Sequence, residues 1–155
     1  GPKLENLRKT ALATSTQYGV SATKMVEDSY LLQSAIAGIT GNELGMLMKK
    51  SALLATATKA DFTATNSFVG QMFNVFENEA AAIGKSAFMD KLISKTAKAV
   101  QLFNTDGGKM SEAMKNIGKQ ATAMKVPLEE QLAVVGFYKT LWLKVVGLVR
   151  PMRRF

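Results

Sequence analysis

A chain of 155 residues with 47% hydrophobic content can bury one real core, which argues against general disorder. It holds no Cys and no His, so disulfide frameworks, thiolate metal sites and the commonest general base are excluded. The net charge of +8 is uneven: residues 1–84 carry seven basic and seven acidic groups, residues 85–125 eight and three, residues 126–138 none and two, and residues 139–155 five and none.

Gly1-Pro2 reads as the scar left by removal of an affinity tag, which implies an expressed fragment of a longer chain. A helical domain is expected over 3–137, with 138–155 as an apolar and basic C-terminal helix and tail. From Lys3 to about Gln17 the pattern is weakly amphipathic (Leu4, Leu7, Ala11), and Tyr18-Gly19 breaks it. Ser21 suits the cap of a second helix whose apolar face holds Ala22, Met25, Val26, Tyr30, Leu32 and Ile36 before Gly38. Thr40-Gly41-Asn42-Glu43 spells a capping box, so a third helix is expected from there to about Ala57.

Asp61 suits the cap of a fourth helix, with Phe62, Phe68, Val69, Met72, Phe73 and Phe76 turned inward as the core of the domain. A loop is expected over 77–84. A fifth helix then places Phe88, Leu92, Ala99, Val100 and Phe103 on one face and Lys91, Lys95 and Lys98 on another. Asn104-Thr105-Asp106-Gly107-Gly108 should end it. Beyond the break, Met110, Ala113, Met114, Ile117, Ala121 and Met124 form one stripe of helical period, with Lys115, Lys119 and Lys125 off it. Pro127 pre-sets the first turn of the next helix, and Glu129 and Glu130 supply charge favourable to its N-terminus. From Phe137 to Val149 apolar residues run almost all round, interrupted by Lys139 and Lys144. Two lysines near the middle of such a run cost several kcal/mol in hydrocarbon, which favours a buried or partner-facing helix over a membrane span. The expected fold is an all-α compact bundle of about six or seven short amphipathic helices joined by Gly-containing turns.

Candidate chemistry is sparse. Gly38, Gly41 and Gly45 follow no strand, and Gly84-Lys85-Ser86 lacks the upstream glycine of a phosphate loop because position 79 is Glu; both sets read as helix punctuation. The carboxylate pairs Glu27-Asp28 and Glu129-Glu130 are adjacent in sequence, so on a helix they diverge instead of sharing a cleft as acid–base catalysis requires. No catalytic residue, cofactor or metal site is expected, and the chain is read as a non-enzyme. The positive second half favours acidic partners, whether nucleic acid, anionic lipid or an acidic protein surface. Its candidate basic interaction face is Lys91, Lys95, Lys98, Lys115 and Lys119, at helical spacing but without the interleaved aromatics that base stacking uses. A candidate self-association or membrane face is Phe137, Leu141, Trp142, Val145 and Val149, and nine methionines suit adaptable contacts between copies.

From Tyr18-Gly19-Val20 to about Gly136 the chain resembles the core region of phage tail tape measure proteins. The resemblance lies in the order of several weak motifs: Tyr30 to Ile36 leading through a Gly turn into Ser51-Ala52-Leu53-Leu54-Ala55-Thr56-Ala57, then Asn74-Val75-Phe76, Asp90-Lys91-Leu92, Ile117-Gly118-Lys119 and Val126-Pro127-Leu128-Glu129-Glu130. It departs after Phe137, where that family continues polar and this chain turns apolar and basic. The resemblance implies a virion tail protein, made in the bacterial host cytoplasm, that sets tail length and occupies the tail tube lumen before DNA ejection. Implied partners are tail tube and baseplate hub proteins and tail assembly chaperones, with self-association into a homo-oligomer. Transient membrane or DNA contact belongs to the competing reading, a membrane-active or nucleic-acid-binding helical bundle.

Overall fold

Three of the helices begin where a side chain stands in for a missing backbone acceptor. Ser21 Oγ accepts from the Lys24 amide and opens α2 (Ala22–Ala35), after α1 (Pro2–Tyr18). At the start of α3 (Gly41–Thr58) the capping box closes in both directions: the Glu43 amide donates to Thr40 Oγ1 at 3.2 Å, and the Thr40 amide to Glu43 Oε1 at 3.0 Å. Asp61 accepts from the Ala64 amide at 3.0 Å to start α4 (Phe62–Val75). Two further helices follow, α5 (Glu77–Ile83) and α6 (Lys85–Leu102). This computed structural model describes residues 2–113 and 125–133; helical segments also run over 107–113 and 128–133, and among the described residues there is no strand.

The helices pack into a compact bundle with α3 as the shared element, against which α1, α2, α4 and α6 all lie. Pairings ascend α3 and α6 in step, from Glu43 with Lys85 to Lys50 with Asp90, so these two helices run the same way. Asp28 accepts from Thr63 Oγ1 at 2.7 Å, and seven residues on in both helices Ala35 meets Gly70, so α2 and α4 are parallel too. A Cβ on Gly70 would lie 2.8 Å from the Ala35 Cβ, and only glycine permits that approach.

Two apolar clusters result. The larger gathers Leu32, Leu47, Leu54, Phe68, Val69, Met72, Phe73, Phe76, Phe88 and Leu92, and it takes in Met110, Leu128 and Leu132 from the later segments. Phe88 is fully buried and meets Phe73 edge-on, with ring centroids 4.8 Å apart. The smaller cluster holds Ala11, Met25, Met48, Ala52 and Phe62 beneath α1.

The structure departs from the sequence reading in three places. Residues 77–84 are not a loop, because Glu77 and Glu79 occupy the first turn of a short helix carrying Ala80 to Ala82; only Gly84, at φ +92°, turns the chain into α6. Tyr30 is 57% exposed, since α2 buries Met25, Ser29 and Leu32 and the Asp28–Thr63 bond fixes that rotation. Gly107 and Gly108 open the next helical segment instead of lying wholly in the break, because Asp106 Oδ1 accepts from the Lys109 amide at 2.9 Å. The break itself ends α6 at Leu102, with Asn104 left-handed at φ +47°.

Candidate interaction surface

α6 divides its residues cleanly. Phe88, Met89, Leu92, Thr96, Ala99 and Val100 are buried, which leaves Lys91, Lys95 and Lys98 along the opposite side. The three lysines do not share one environment. Lys91 is half-buried and pairs with Glu79 of α5 and, at 3.1 Å, with Glu129 of segment 128–133. Its hydrogen bond to Glu79, helped by Glu129, raises its pKa above the ordinary lysine value against the opposing effect of burial. Glu129 is held below the usual carboxylate range, first by its own backbone amide and then by Lys91, with Lys95 adding to the field. Lys91 is thus a tie between three segments, and the outward cations of α6 are Lys95 and Lys98, both exposed.

The same side carries a groove of about 460 Å³ whose walls include Glu77, Glu79, Lys91, Lys125 and Pro127. Among its lining residues Lys91 pairs with Glu79, so the groove is an open mixed-charge surface. The other cross-chain ion pairs link the balanced first half to the basic second half: Glu43 with Lys85 at 3.4 Å, and Lys50 with Asp90, where Lys50 Nζ also donates to Ser86 Oγ at 3.1 Å. Glu43 titrates below its ordinary value, chiefly because the Thr40 amide donates to its carboxylate.

The remaining candidates are also placed. Gly38 and Gly84 are loop glycines of positive φ and Gly45 packs against Thr10, so all three serve helix geometry; Lys85, following Gly84, is engaged by Glu43. In the first carboxylate pair Asp28 is buried and Glu27 exposed, and in the second Glu129 is tied to Lys91 and Glu130 exposed, so neither pair shares a cleft. Among the described residues no group of three or more Asp and Glu is placed to hold a metal ion, and no helix is long and apolar enough to cross a membrane. Lys115, Lys119, Phe137, Leu141, Trp142, Val145 and Val149 lie outside the described residues. Sequence reasoning missed Glu79 as a functional partner because it was read as loop; two glutamates ahead of three alanines were the available signal. Nothing local signalled Lys50 with Asp90, forty residues apart.

A family model for phage-related minor tail proteins matches residues 8–138, from the middle of α1 through every later described segment. The chain belongs to that family. It is a structural component of a phage tail. No curated protein and no solved structure matches the chain.

Proposed function

We propose that this bundle is a folded segment of a tape measure protein, the tail component that sets tail length and occupies the tube lumen before DNA ejection. The observation that carries the reading is the minor-tail family match over residues 8–138, together with the order of motifs from Tyr18 to Gly136. In this reading a rod of α-helix measures length at about 1.5 Å per residue and the bundle is a knob upon it. Its partners are tail tube and baseplate hub proteins and tail assembly chaperones. It is a non-enzyme that self-associates, with Phe137, Leu141, Trp142, Val145 and Val149 as one contact face. Lys95 and Lys98, exposed on α6 and continued in sequence by Lys115 and Lys119, would face an acidic lumen wall of the kind that repels passing DNA.

The test is excision of residues 3–137 from the phage-encoded protein, with tail length measured by electron microscopy. Shortened tails are expected, by less than the ~200 Å those residues would span as one continuous rod at about 1.5 Å per residue. Normal tails of unchanged length would overturn the reading. The lumen contact is tested separately: binding of the bundle to assembled tubes should weaken with salt, and a flat salt response removes the electrostatic part.

A further inference from the structure

The helix α1 is held differently from the rest of the bundle. Among its described side chains only Ala11 and Thr14 are buried, while Leu12 is 52% exposed. Much of its seat on α3 is small or polar: Asn6, Thr10 and Gln17 face Asn42, Gly45 and Lys49 along a crevice of about 340 Å³. The apolar part of the seat is the smaller cluster, in which Met25, Met48, Ala52 and Phe62 are almost completely buried and against which Leu7 and Tyr18 of α1 pack half-buried.

Two polar residues lie between that cluster and the larger one, which Leu7 of α1 bridges. On α4, Asn66 falls between Phe62 of the smaller cluster and Val69 of the larger; on α3, Ser51 falls between Met48 and Ala52 of the smaller and Leu47 and Leu54 of the larger. Both side chains are buried, and Ser51 Oγ and both polar atoms of Asn66 have no hydrogen-bond partner among the described residues. Desolvated groups of this kind favour any state that wets them. Their desolvation counts against the contact between the two clusters. Gly19, at φ +71°, and the two residues after it form the link to α2, short enough to act as a hinge.

We propose that α1 is an exchangeable helix: it swings away about Gly19, and the Met25/Met48/Ala52/Phe62 surface it uncovers receives the α1 of a second copy of this chain. That occupant follows from the seat itself. The uncovered surface is already shaped to α1, so a second copy restores every side-chain contact that opening breaks, and exchange needs only association and a turn of the hinge. A single opened copy would leave a Met-rich apolar face in water. The exchange rests on packing alone and is independent of where in a tail the bundle sits.

The cysteine-free chain allows a direct test. A Cβ built on Gly45 would lie 3.9 Å from the Thr10 Cβ, within the range that a disulfide spans, and its nearest contact of 3.5 Å is ordinary packing. A mixture of two full-length variants, Thr10→Cys and Gly45→Cys, is incubated at high concentration and then oxidised. Exchange predicts a covalent heterodimer in excess over either homodimer, because the two sulfurs meet only when one copy's α1 occupies the other's seat. In the double variant Thr10→Cys/Gly45→Cys, prior oxidation at low concentration should staple α1 within one chain and abolish exchange with a tagged copy. Folded variants that give no excess of heterodimer would overturn the proposal. Amide exchange on the unmodified chain gives an independent reading: α1 should lose protection as one unit ahead of α3 and α4, and equal protection throughout would likewise overturn it.

Discussion

The two apolar clusters are built from the same residue types and differ in how they are closed. The larger is sealed by interlocking rings, Phe73 and Phe76 on Phe88, and by chain that returns from far along the sequence to add Met110, Leu128 and Leu132. The smaller is covered by one helix that contributes a single fully buried alanine, Ala11, with Leu7 and Tyr18 half-buried beside it. Burial stabilises roughly in proportion to apolar area removed from water. A core closed by large rings and distant segments is therefore expected to melt with the whole bundle, and one closed by Ala11 and two half-buried side chains to open locally. Local stability here is set by what covers a cluster more than by what fills it.

The sharpest way to break the comparison is Phe88→Ala, which should cost about 3–5 kcal/mol through lost burial and the cavity left behind. The midpoint of urea unfolding followed by circular dichroism measures it, and all helices should lose protection together. Next in size, Ala11→Asp puts an unpaired carboxylate into the smaller cluster and should cost about 1–3 kcal/mol. Amide exchange should show that loss in α1 and little of it in α4 and α6; an equal loss everywhere would mean that the clusters are one unit. Thr40→Ala removes the capping hydroxyl of α3, the helix both clusters share, and should cost about 1 kcal/mol, read as a lowered melting temperature. Smallest is Lys91→Met, which undoes a half-exposed tie on the rim of the larger cluster and should cost less than about 1 kcal/mol in the same melt.

The ties also set a pH response. Glu43 and Glu129 have folded-state pKa values below the ordinary 4.5, so their stabilisation is present above that value and is lost as pH falls through the lower folded values. Lys91 is raised above the ordinary 10.5, so its stabilisation is complete below that value and is lost as pH rises through the higher folded one. Melting temperature should therefore hold a plateau between the two and fall on either side. In Lys91→Met the alkaline fall should diminish, and the acid fall should keep the part due to Glu43 and the part that the backbone amide of Glu129 supplies.

Much of the bundle was legible before any coordinates. Ser21, Thr40 with Glu43, and Asp61 each start the helix they were expected to start, because a cap is a bond between neighbours three residues apart. The apolar face of α6 was readable from period alone, and so was the inward set of α4. Tyr30 was misread because periodicity gives the width of a face and not its edge, which the Asp28–Thr63 bond decided. The candidate basic face was legible as spacing. That Lys91 is tied down while Lys95 and Lys98 stay exposed depends on Glu79 and Glu129, which arrive from other segments.

Sequence alone determined that the chain is helical, where most of its helices start, and that it lacks the thiols and imidazoles of ordinary catalytic sites, since each follows from residue type and short-range spacing. Tertiary structure decided that two clusters form instead of one, that the side chains of Ser51 and Asn66, with no hydrogen-bond partner among the described residues, lie between them, and that α1 closes the smaller one with Leu7, Ala11 and Tyr18. Those are facts about which helix meets which. Contacts across tens of residues depend on the packing of the whole bundle, and no local spacing encodes them.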